Sequence, residues 1–74
     1  MFITLTNASP VYKDEPIVIN ADHIISMWRG IAVRGVNEET GEVTEKEEVT
    51  FIFVPPHGTW EVKDSVADIE ARLK

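Results

Sequence analysis

The sequence has no cysteine, a single tyrosine, only seven basic residues, and no uninterrupted apolar run longer than the four residues Phe51 to Val54. Without cysteine there is neither a disulfide nor a thiolate site, a usage that fits a reducing compartment. A membrane-spanning helix needs roughly 20 consecutive apolar residues, and no stretch approaches that. The opening stretch, MFITLTNASP, has no basic lead and no extended apolar core. It is not read as an export leader, and the expectation is a soluble, cytoplasmic chain with no membrane insertion. Seven basic residues stand against thirteen acidic ones, a formal net charge of -6. Nucleic-acid binders carry a basic stripe, so this balance disfavours nucleic acid and favours neutral or basic protein surfaces. The four glycines, at 30, 35, 41 and 58, are scattered, so no glycine-rich loop is available to cradle a phosphate.

What is present is a single domain, residues 1–74, near the lower size limit for an unstapled core. About 3–5 kcal/mol of stability is the expectation for a chain this short. The most informative stretch is Val49 to Val66, VTFIFVPPHGTWEVKDSV. In a strand, side chains alternate between faces. Val49, Phe51 and Phe53 therefore share one face, and Thr50, Ile52 and Val54 share the other. Both faces are largely apolar, the pattern of a central strand covered on both sides. Pro55 and Pro56 end the strand, and Pro55 to Gly58 reads as a type I turn. Thr59 to Val62 reads as a returning strand.

Earlier in the chain, Phe2 to Thr6 and Pro16 to Asn20 read as short strands, separated by a polar connection in which Tyr12 is expected as a lid on the core edge. Asn20 to Asp22 reads as a turn. Ile24 to Val36 reads as one strand, with Gly30 as a bulge or close-approach point and Gly35 near its end. Asn37 to Glu48 holds six glutamates and reads as a polar hairpin. Ser65 to Leu73 is helical: Val66, Ile69 and Leu73 fall on one face, Ser65 and Asp68 have capping spacing, and Glu70 and Lys74 stand four apart. The fold class is α+β, an antiparallel meander of four to five strands, curved or half-barrel, with one C-terminal helix. One short helix covers one sheet face only. The other face is closed by curvature or by a second copy of the chain, with Trp28, Trp60, Phe51 and Phe53 as the residues to be shared.

The candidate chemistry is sparse. His23 and His57 each lack a second histidine or cysteine at ligand spacing, so no metal is assigned. Ser65, His57 and Asp64 can be written as a triad, but Ser65 is more simply a helix cap, without a nucleophile elbow around it. The glutamates lack the alternation of a calcium loop. No catalytic residue and no cofactor is assigned, and the expectation is a non-enzymatic chain. Trp28, Arg29 and Arg34 form the one aromatic and basic cluster, and with Trp60 they are the candidate interaction residues, since tryptophan and arginine are enriched at interfaces; the plainer reading makes Trp28 core and lets the arginines balance the nearby glutamates. The second reading of Trp28, Arg29 and Arg34 is a nucleic-acid surface.

Pro16 to Ile25, PIVINADHII, and Val49 to Leu73, with Gly58, the run Val62-Lys63-Asp64-Ser65-Val66, and Ile69, resemble the small FlbD-like flagellar and swarming motility proteins. The resemblance spans about half of the chain. Asp64 stands where that family has Glu, the Asn7 to Glu15 connection is longer, and the acidic hairpin is an insertion. The resemblance implies an accessory role in motility with no catalytic residues. Similar small meander domains also occur among phage and bacterial products.

Overall fold

The structure, a computed structural model, describes residues 1–73. Lys74, and with it the expected spacing to Glu70, lies outside the described residues. Five strands and one helix follow in order: β1 (Phe2–Thr6), β2 (Pro16–Asn20), β3 (Ser26–Val36), β4 (Val43–Val54), β5 (Gly58–Val62) and α1 (Val66–Arg72). A single 3-10 turn, Ala21–His23, joins β2 to β3, with the Asn20 side chain accepting from the Asp22 N–H.

All strand pairs are antiparallel, in two sheets, β1-β2 and β3-β4-β5. The bridge Asn7–Val62 links them, flanked by bonds from Lys63 N–H to Thr6 O and from Ala8 N–H to Glu61 O, each 2.9 Å. β4 is central in its sheet, as its doubly apolar pattern predicts, and begins at Val43 rather than Val49. One face of β4 supplies Ile52 and Val54 to the main core with Ile3, Leu5, Ile19, Val62 and Ile69. The other face supplies Val49 to a small cluster with Ala8 and Ala32. Ala8, rather than the exposed Tyr12, is the residue of the first connection that covers core.

Three local expectations are corrected. The β4–β5 turn is not type I over Pro55 to Gly58. It is closed by the His57 N–H on the Val54 carbonyl at 3.0 Å, and the Pro55–Pro56 peptide is cis. Gly58, at φ +99, opens β5 in a conformation that other residues adopt rarely. Gly30 is not a bulge, because the register runs through it unbroken. The bulge is at Arg34, between the pairs Val33–Lys46 and Gly35–Glu45. The helix is shorter than the expected Ser65 to Leu73. Ser65 is its N-cap, with its hydroxyl accepting from the Asp68 N–H at 3.1 Å. Ile69 is its fully buried residue.

Candidate functional site

The register places Ser26, Trp28, Gly30 and Ala32 of β3 on the same face as Phe53, Phe51, Val49 and Glu47 of β4. One end of this face lies under the Ala8 connection. The other end is open: Trp28 is 46% exposed and Phe53 37%. The Trp28 and Phe51 rings stack with centroids 5.6 Å apart and planes 21° apart. Gly30 makes this possible, since a β-carbon there would meet the Phe51 ring at 2.8 Å. The result is an aromatic strip of Trp28, Phe51 and Phe53 that no other described segment covers.

Both arginines pair with glutamates, as the reading that they balance the nearby acidic residues has it, and each does so on a different face. Strand alternation keeps Arg34, the residue at the bulge, on the Trp28 face but at its covered end. There its guanidinium meets Glu47 at 3.2 Å and Glu61 at 3.3 Å, and donates to the Ala8 carbonyl at 2.9 Å. It clamps the first connection onto the sheet. Arg29 lies on the opposite face, donating to Glu48 at 2.9 Å, to the Thr50 hydroxyl at 2.8 Å and to the Lys63 carbonyl at 3.2 Å. Thr50, fully buried in an otherwise apolar run, donates in turn to the Asp64 carbonyl at 2.6 Å. The Asp64 carboxylate accepts from the Thr6 N–H at 2.7 Å and ties the helix entry to β1. Trp28, Arg29 and Arg34 therefore do not share one surface. Trp60 is separate as well, because it pairs with Ile52 and packs against the main core.

His23 and His57, 34 positions apart in sequence, line one cleft of about 310 Å³ with Ile17, Ile19, Val54 and Trp60. Among the described residues, no three ligand-type side chains gather for a metal. Ser65, His57 and Asp64 do not assemble: Ser65 caps the helix, Asp64 holds Thr6, and His57 lies in the turn before β5. Sequence reasoning missed Thr50, Asp64, Glu47 and Glu61. The signal for Thr50 was its position as the one polar residue in VTFIFV.

Asp14, at φ 68, takes a left-handed conformation that aspartate tolerates better than most residues, and its carboxylate pairs with Lys63. That bond holds the Asp14 carboxyl below its ordinary value and raises the Lys63 ammonium. A depressed carboxyl contributes above its unfolded value and loses that contribution as pH falls through the folded one. A raised ammonium contributes below its unfolded value and loses it as pH rises through the folded one. The pair should therefore hold from about pH 5 to about pH 9 and release at both extremes. Both groups are exposed, so the effect is local. Protection of the amides in the Tyr12 to Glu15 turn, taken relative to their intrinsic exchange rate at each pH, should stay constant across that window and fall below it. Asp14→Asn should remove the dependence at acid pH.

No protein-family model matches this chain, and no curated protein or solved structure is found to be similar to it. No described helix is long and apolar enough to cross a membrane.

Proposed function

We propose that this chain is a non-enzymatic bacterial or phage accessory protein that acts through protein contacts, with the two sheets working as one curved half-barrel about the Asn7–Val62 bridge. The observation that carries the reading is the open strip of Trp28, Phe51 and Phe53. Aromatic rings held on a sheet supply large contact area at low entropic cost, which is how protein interfaces concentrate their energy. The partner surface is neutral or basic, given the net charge of -6. The process proposed is motility, on the likeness of Pro16 to Ile25 and Val49 to Leu73 to the FlbD-like proteins, and the setting is the cytoplasm.

The alternative, a nucleic-acid regulator, asks Arg29 and Arg34 to meet phosphates. Each is already bonded to glutamate, and they lie on opposite faces. The test is affinity capture of the tagged chain from its native extract, with recovered protein and nucleic acid both identified. Recovery of a protein partner, flagellar components above all, is expected. Salt-sensitive recovery of nucleic acid, lost in Arg29→Ala, would overturn the reading.

A further inference from the structure

β3 is the outer strand of its sheet and, with 11 residues, offers a far longer free edge than β2 with five. The bonds flanking Asn7–Val62 turn the backbone groups of Glu61 and Lys63 towards β1, which leaves those of Val62 facing β4. Backbone groups alternate sides along an antiparallel strand. Carried through the registers Thr50–Val62 and Trp28–Phe51, this parity bonds Trp28, Gly30 and Ala32 to β4. Met27, Arg29, Ile31 and Val33 then aim their N–H and C=O groups outward.

Free edges invite pairing, and proteins blunt them with proline, charged side chains, bulges or short length. β2 is short and opens with Pro16. Over Met27 to Val33, β3 has no proline and no bulge, its one charge, Arg29, is bonded to Glu48, and Ile31 and Val33 are 55% and 52% exposed beside its outward amides.

We propose that β3 pairs antiparallel with β3 of a second copy about a two-fold axis at Gly30, joining two three-stranded sheets into one of six strands. This rests on the protein-contact reading and names one partner. In that register Arg29 and Ile31 pair through their outward groups, and Met27 pairs with Val33. On the aromatic face, large Trp28 of each copy stands opposite small Ala32 of the other, beside Gly30. Charge favours this axis. Ile31 sits beside Glu48 in the β3–β4 register, so Arg29, bonded to its own Glu48, also stands on the row of the second copy's Glu48 with Ile31 between them. An axis at Ile31 would instead set Arg29 opposite Val33 and on the row of Lys46. The paired segment is about 24 Å long, so the interface is small and association depends on concentration.

The test combines sedimentation of the wild-type chain over a concentration series with residue-resolved amide exchange. The expected result is a doubling of mass, accompanied by at least roughly tenfold slower exchange at Arg29 and Ile31. Ile31→Pro removes an outward N–H that β4 does not use, so it should remain folded and monomeric. If it fails to fold by circular dichroism, Ile31→Lys replaces it with the same expectation. A monomer at every concentration, a dimer whose Arg29 and Ile31 amides exchange as in the monomer, or a folded variant that still dimerises would overturn the proposal. A monomer that captures a different protein would overturn the pairing and leave the proposed function standing.

Discussion

Ile69→Ala removes most or all of the chain's stability at room temperature. Ile69 is fully buried, is the buried residue of α1, and packs into the cluster of Ile3, Leu5, Ile19, Ile52, Val54 and Val62 that joins both sheets. Truncating a buried isoleucine costs about 2–5 kcal/mol, including the cavity left behind. A chain of 74 residues without disulfides has roughly 3–5 kcal/mol to lose. A seven-residue helix has no stability of its own in water, so losing its anchor releases the whole element. Denaturant titration followed by circular dichroism reads the result. A midpoint close to wild type would mean that α1 does not hold the two sheets together.

Arg34→Met is the second large effect, with an expected loss of about 2 kcal/mol. The methionine keeps much of the stem's packing, so the loss reports the charge and its bonds. Glu47 and Glu61 would be left half-buried beside each other, and the Ala8 carbonyl would lose its donor. Adding Glu47→Gln and Glu61→Gln to Arg34→Met should recover part of the loss, because the repulsion is then removed. In the wild-type background the same two substitutions should destabilise. That opposite sign in a mutant cycle is the signature of a coupled cluster. Additive losses in both backgrounds would show that Arg34 is not coupled to the two glutamates.

How much of this was legible in the sequence depends on the range of the forces involved. The alternation in VTFIFV marked β4 as central, and the spacing of Val66, Ile69 and Leu73 marked the docking face of α1. Those are period arguments, and they need only neighbours in sequence. The Ser65 cap was legible for the same reason. The division into two sheets was not, because the Asn7–Val62 bridge joins residues 55 positions apart. Gly30 reads as a bulge or a close-approach point. It is the second, admitting the Phe51 ring, and the register breaks at Arg34 instead. Trp28, Arg29 and Arg34 are close in sequence and form an obvious cluster on paper. Alternation sends Arg29 to one face and Arg34 to the other, beside a pair of glutamates that no local pattern links to it. The open aromatic strip was half visible. One helix could not cover both faces of β4, but only the register shows that Trp60 is outside the strip and Trp28, Phe51 and Phe53 are within it.

The proposed function makes this strip a contact surface. It is tested most directly by repeating affinity capture from native extract with three chains: wild type, the double variant Trp28→Ser/Phe53→Ser, and Val18→Ser as an exposed control on the other sheet. All three should first match in circular dichroism. Wild type and Val18→Ser should recover the same protein partner, and the double variant should lose it. Equal recovery by all three chains, or no protein recovered by any, would contradict the proposed function.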